Sequence, residues 1–501
     1  MIDLVVKVLL GTSLLIVARC IYRLTLHPLA GIPGPKLAAM TSAYAMSWDF
    51  PKESSYIKNF PKWHAQYGPI IRIEPNHIHV LDIDAYNTVF KIGTKFYRDP
   101  AVYSFPFTRG GFFNKLHVKD AKLHRDLYMP YFSRANVQNL EPTIRRTLGQ
   151  LLTQIDQAAG KTIDMKRAAR SWTADTVMRY MYDKDFGAVA YPDFKIPMLE
   201  CMDDYFKNMP FGWYFPSIVS TIVDLVAKLP RSRVPDEGIA ASLAILDGSE
   251  SHIAALKAQP RSERQISIFE SAMAPNSEKG HPILTVKDLA ADALTFFTAG
   301  TDTTANVIDR AIWGLLNDRA ALATLTAELR AAIPHGSDLT ATPQGWAALE
   351  ALPYLRCVVK ESLRLSYGVP GKIPRIVPAE GATLLGHSLP GGTAISMSCH
   401  TYHHHAPYFG DDADEFKPER WADAAKAAEL EKYLVTFSRG SRNCIGQNLA
   451  YAELYYVLGY LFRRFELSLA EDFPKEEMEW EDCFVVVTRG HLRIRARRAE
   501  T

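Results

Sequence analysis

The sequence predicts a mostly α-helical protein with small β-sheets, an α+β class, preceded by one N-terminal transmembrane helix. Three observations predict it. From about Leu116 to Ile333 the chain reads as helices separated by loops. Short extended runs flank turn residues at Glu74-Pro75-Asn76 and at Arg489-Gly490, giving one hairpin signal on either side of that helical stretch. Residues Leu4 to Val17 are apolar apart from Lys7, Thr12 and Ser13. With 501 residues, 48% hydrophobic and 22% charged, the chain has an ordinary globular balance and can bury a large core.

The apolar run continues weakly to Tyr22, and about twenty helical residues at 1.5 Å each span a bilayer core of roughly 30 Å. A signal peptide is the competing reading. Only Lys7 is basic ahead of the run, Arg19 and Arg23 follow it, and no small-residue cleavage site appears. These flanks predict a signal anchor over 1–22 with the following body, 36–501, in the cytosol. Between them, 23–35 is a proline-rich hinge: His27 to Pro35 holds three prolines and two glycines.

Within the body, Ile70 to Ile73 and His77 to Leu81 form the first hairpin. Met209-Pro-Phe-Gly-Trp-Tyr-Phe-Pro216 is an aromatic cluster expected to act as a lid touching the membrane. Thr285-Val-Lys-Asp288 is a capping-box-like start to a helix of some thirty residues ending near Leu316. In its middle lies Ala299-Gly-Thr-Asp-Thr-Thr304, which is poor helix-forming sequence. Threonine hydroxyls there can bond back to carbonyls and loosen the helix. Ala347 to Leu365 reads as one further helix, with Pro353 near a first turn and Glu361 and Arg364 three apart on one face. His403-His-His405 is no metal chelate, because consecutive residues do not share a face. Ala422 to Lys432 is rich in alanine and charge and reads as exposed. Val485 to Thr488 and His491 to Ala496, around Arg489-Gly490, read as a terminal hairpin.

The most specific segment is Phe437-Ser-Arg-Gly-Ser-Arg-Asn-Cys444-Ile-Gly446, followed by an apolar helical run from Gln447 to Leu467. A cysteine just before a helix start sits near free N–H groups and the positive end of the macrodipole, a setting that lowers a thiol pKa and suits metal ligation. Arg439 and Arg442 could neutralise acidic groups of a bound cofactor.

The pattern F-x-x-G-x-R-x-C-x-G, with Phe437, Arg442, Cys444 and Gly446 in place, resembles the haem-ligand loop of the cytochrome P-450 superfamily. Ala299 to Thr304 matches that family's A-G-x-D/E-T-T motif. Glu361-Ser-Leu-Arg364 and Phe416-Lys-Pro-Glu-Arg-Trp421 resemble its E-x-x-R and P-E-R-F motifs, with Trp421 in place of phenylalanine. Tyr22 to Leu29 ahead of Pro33-Gly-Pro35, and the wording after Cys444, look most like fungal microsomal members in secondary metabolism, such as the trichodiene oxygenase group. The resemblance spans essentially the whole length and implies the P-450 fold. It implies haem b with Cys444 as axial iron ligand, and an oxygen pocket where Gly300 permits close approach while Asp302 and Thr303 pass protons. It implies haem propionates held by Arg442, Arg125 and Arg375, and a buried network of Glu361, Arg364 and Arg420 behind the cysteine loop. Where the family has Trp or His four residues before Arg125, this chain has Ala121, and His124 and His117 are expected to face solvent.

The implied activity is monooxygenation of an apolar, polycyclic or aromatic small molecule. Phe105, Phe107, Phe112, Phe113, Phe296, Phe297, Ala299, Val369 to Ile373 and Phe484 to Val486 would face the substrate. No G-x-G-x-x-G follows a strand, so electrons are expected from NADPH through a separate NADPH–cytochrome reductase, with cytochrome b5 as a second partner, at the endoplasmic reticulum membrane. A net charge of +2 gives no reason to invoke nucleic acid. Six scattered cysteines without a C-x-x-C pair suggest neither a disulfide framework nor zinc. Two rivals are an oxygen-independent haem-thiolate isomerase or dehydratase and a non-enzymatic haem sensor. The complete Asp302-Thr303 wording argues against both.

Overall fold

The computed structural model describes all residues except 51–54, 159, 235–236, 259–267, 275–276, 335–344, 367 and 500–501. Helix α1, Ile2–Thr25, has mean hydropathy 2.2 over its most apolar stretch and buries none of its residues. Its 24 residues make a rod of about 36 Å, three residues longer at its C-terminal end than the sequence boundary. The hinge then docks onto the body: the Arg72 guanidinium donates to the Arg23 carbonyl at 2.7 Å, and the Arg72 N–H donates to the Pro33 carbonyl at 2.7 Å.

The main core is helical. Its elements around the site are α2 (Val118–Arg125), α3 (Met165–Tyr182), α4 (Pro197–Lys207), α5 (Met209–Tyr214), α6 (Pro216–Val226), α7 (Val286–Asn317), α8 (Pro353–Ser366) and α9 (Gln447–Arg464). Thr285 caps α7 with a complete capping box closed by Asp288. Its apolar residues pack against α3, α8 and α9. The helix expected over 347–365 is two: Trp346–Glu350 ends ahead of Pro353, which opens α8. The residue before a proline disfavours the helical conformation, which explains the break.

The strands are short. β1 (Ile70–Glu74) and β2 (His77–Val80) form the expected antiparallel hairpin. With β3 (Tyr97–Arg98), β5 (Arg375–Ile376) and β8 (Ala394–Ser396) they make a sheet in the order β1-β2-β8-β5-β3. β6 (Ala382–Leu384) pairs with β7 (His387–Leu389). The terminal hairpin is a correction. β11 (Val485–Thr488) pairs with β10 (Trp480–Cys483) about a reversal at Phe484, whose φ is +75°. β12 (Arg493–Arg498) instead lies between β4 (Thr162–Asp164) and β9 (Phe465–Leu469). The Arg489 and Gly490 N–H groups are taken by the Glu479 and Glu477 carbonyls, so that turn carries the chain from one sheet to the next.

Candidate active site

The α7 helix, the Cys444 loop, the segment after α8 and the 98–113 segment enclose a cavity of about 300 Å³. Phe105, Phe112, Phe113, Phe296, Val369, Ile373, Phe484 and Val485 line it, while Phe107 and Phe297 pack in the core behind. A larger cleft of about 860 Å³ between Arg145 and Arg498 contains no cysteine and none of the candidate site residues.

The cysteine loop is shaped by its backbone. Ser438 and Gly440 take positive φ, and the Cys444 N–H closes the loop on the Phe437 carbonyl at 2.8 Å. A Cβ on Gly440 would stand 1.8 Å from the Phe90 carbonyl oxygen, so only glycine lets the loop lie this close. Cys444 is deep in the protein but exposed, because its open side is the cavity. Its thiol corrects the expectation of a lowered pKa. Burial pushes it up, and the Gly446 N–H and Arg125 only partly oppose this.

The Thr303 hydroxyl donates to the Ala299 carbonyl at 2.7 Å, and the residue lines the cavity. Asp302, one residue earlier and so about 100° around the helix, does not. It is fully buried against α3, with Oδ1 2.5 Å from Arg170 Nε in an ion pair whose N–H is not aligned as a hydrogen bond. Burial raises the Asp302 pKa, and Arg170 opposes the rise. Arg170 also holds Asp203 of α4, which Lys166 reaches at 2.7 Å. Gly300 faces the same way: a Cβ there would meet Val177 Cγ2 at 2.6 Å. Its close approach is therefore to α3, a correction to the oxygen-pocket expectation. The Thr173 hydroxyl adds a bond to the Thr301 carbonyl at 2.9 Å, tying α3 to this part of α7.

Around the cysteine loop the cavity is also lined by four guanidinium groups, Arg98, Arg125, Arg375 and Arg442. Arg125 donates to the Ser441 carbonyl at 3.0 Å and to Asn443 Oδ1 at 2.8 Å, and Arg442 donates to the Phe113 carbonyl at 3.1 Å. Arg375 reaches the Tyr103 hydroxyl at 3.3 Å. Among the described residues none of the four has a carboxylate partner. Arg98 Nε, Arg125 Nε and Arg442 Nη1 are buried without any hydrogen bond. Burial, then repulsion from Arg375 and Arg125, brings Arg442 down to about 9, and burial and Arg442 lower Arg98 in the same way.

The chain matches the cytochrome P450 family over residues 47–493. It belongs to that family. It is 34% identical to the cytochrome P450 monooxygenase hkm5 of Aspergillus hancockii, over 95% of this chain and 91% of that one. It is 31% identical to astB of Aspergillus terreus (93% and 91% covered) and 32% identical to pbrB of Penicillium brasilianum (92% and 90%), both also cytochrome P450 monooxygenases. This P450 is accordingly an oxidoreductase of the monooxygenase class, working on an apolar substrate with a redox partner and haem iron.

The cavity fits that group. Haem b carries two propionates, and a buried cluster of four cations without counter-charge is stabilised by two anions. The cysteine sulfur opens onto the same cavity.

Behind the P450 loop, the structure brings Glu361, Arg364 and Arg420 together, all buried. Arg364 forks onto Glu361 at 2.7 and 2.8 Å, and Arg420 Nε reaches Glu361 Oε1 at 3.2 Å. Trp421 adds an indole N–H donated to Glu361 Oε2 at 2.9 Å, a bond phenylalanine could not make. Burial pushes Glu361 up, but these bonds and charges outweigh it and leave its pKa below the usual range. His403 accepts the Val435 N–H at 2.9 Å and bonds the Arg364 carbonyl at 2.7 Å, a structural role. His124 does not face solvent as expected; it is fully buried with Nε2 2.7 Å from Asp292 of α7.

Sequence reasoning missed Arg98. It sits on a two-residue strand whose partner is Arg375 itself, a cross-strand register that no local spacing discloses.

Proposed function

We propose that this P450 is a membrane-anchored haem-thiolate monooxygenase that inserts one oxygen atom from O2 into an apolar terpenoid, polyketide or aromatic molecule of fungal secondary metabolism. The observation that carries it is that Cys444 and Thr303 face one aromatic-walled cavity ringed by uncompensated guanidinium groups. When bound, haem supplies the dioxygen chemistry. Cys444 would be its thiolate ligand, held by the Phe437–Cys444 hydrogen bond and the Gly446 turn. Arg98, Arg125, Arg375 and Arg442 would hold its propionates. Thr303 holds a hydroxyl where a proton is needed, and Asp302 reloads it after turning from Arg170. The apolar walls exclude water.

The body, 36–501, stands on an anchor, 1–22, and a hinge, 23–35, at the cytosolic face of the endoplasmic reticulum. NADPH–cytochrome reductase, with cytochrome b5 as a second donor, supplies electrons. The full-length protein in vesicles with reductase, NADPH and ¹⁸O-labelled dioxygen tests this against extracts of apolar metabolites. One labelled atom per product is expected. Product formed without NADPH or dioxygen would overturn it in favour of an isomerase.

A further inference from the structure

Among the described residues no Asp, Glu or Lys lines the cavity, and its charged groups are the four arginines around the cysteine loop. Its threonines are mostly spent: Thr295 and Thr298 donate to carbonyls of their own helix at 2.9 Å, and Thr108 donates to Asn114 Oδ1 at 2.8 Å. Tyr205 of α4 differs. It lines the cavity, and its hydroxyl has no hydrogen-bond partner among the described residues. Its ring is clamped between Phe107 at 5.9 Å and Phe206 at 5.3 Å, so the phenol has a fixed direction.

We propose that Tyr205 is a specificity-determining residue whose phenol donates a hydrogen bond to a neutral oxygen, a carbonyl or hydroxyl, at the far end of an otherwise apolar substrate. This rests on the monooxygenase reading and narrows its substrate class. Burial raises the Tyr205 pKa, so the group is a proton donor at any working pH. Tyr205 packs against a cluster of Phe107, Val223, Leu243 and Leu294. It shares the cavity lining with Leu294 of α7, which lies nine residues before Thr303, about 13 Å along the helix axis. A substrate anchored at Tyr205 and oxidised beside Thr303 is therefore about the length of a tricyclic or tetracyclic skeleton, with its oxygen and its reacting carbon at opposite ends. A charged substrate is disfavoured, since among the described residues no charged group lines the cavity beside α4 to compensate a buried charge.

The test is spectral titration of the haem-loaded wild type and of Tyr205→Phe with a matched pair of rigid probes, 5α-androstane and 5α-androstan-3-one. The wild type should bind the ketone tighter than the hydrocarbon by roughly 3- to 10-fold, the worth of one neutral hydrogen bond. Tyr205→Phe should erase that preference while leaving hydrocarbon affinity unchanged. A preference absent from the wild type, or surviving in the variant, would overturn the proposal. So would an equal loss of affinity for both probes, which would mark Tyr205 as packing only. These outcomes leave the monooxygenase reading intact. A preparation unable to form the haem-thiolate spectrum would instead sink that reading and this inference with it.

Discussion

Asp302 Oδ1 lies 2.5 Å from Arg170 Nε, and the same guanidinium holds Asp203 on the neighbouring helix α4. One cation thus serves two acids, one beside the cavity threonine and one on the helix that carries Tyr205.

Replacing Arg170 with Gln should therefore cost about 3–5 kcal/mol, because buried Asp302 loses its ion-pair partner, while Asp203 keeps Lys166. Thermal unfolding of the holoprotein measures it. Asp302→Asn should cost less than Arg170→Gln, since Arg170 keeps Asp203 as its partner, yet it should slow turnover. Full turnover in Asp302→Asn would remove the proton role.

Thr303→Ala should keep haem and substrate binding but lose product per NADPH consumed, with hydrogen peroxide released instead. A positioned proton donor typically contributes about 10²–10⁴-fold. Peroxide measured against product, with reductase supplied, checks this. Unchanged coupling would mean that the hydroxyl only bonds the Ala299 carbonyl.

Arg364→Ala should give little folded holoprotein, because Glu361 would keep its buried charge while losing both bonds of the fork. Trp421→Phe is the graded version. It removes one of several donors to Glu361 and should cost about 1–2 kcal/mol. Denaturant midpoints of the two variants separate the effects.

Acid should weaken the fold before the carboxylates titrate. Burial lowers His64 to about 4 and His403 to about 3, and both are bonded in the interior. Unfolded histidine titrates near 6.5, so just below that pH the unfolded chain binds the extra protons. Stability is then full above about pH 6.5 and falls with pH at about 1.4 kcal/mol per unit for each such histidine. Unfolding free energies from pH 7 to 5 should show this slope, and His403→Gln should reduce it by that one histidine's share. A flat profile in the parent would mean that these histidines titrate in the fold as they do in the unfolded chain.

Much of this was legible in the chain. The long α7, its Thr285 cap and the loop before Cys444 are local patterns in which neighbours in sequence are neighbours in space. Glu361 and Arg364 were legible for the same reason, being one helical turn apart. What stayed hidden depends on register and facing. Arg98 joins the cavity through its strand pairing with Arg375. Gly300 turned out to face Val177 of another helix. The last hairpin was misplaced by one strand, because the reversal uses Phe484 at positive φ while the more turn-like Arg489-Gly490 makes a crossover.

The most direct test of the central claim is the reduced carbonyl spectrum of Cys444→Ala beside that of the parent. The account predicts a strongly red-shifted Soret band in the parent and none in the variant, because the proposed iron ligand is the Cys444 thiolate. A variant that kept the band would contradict it.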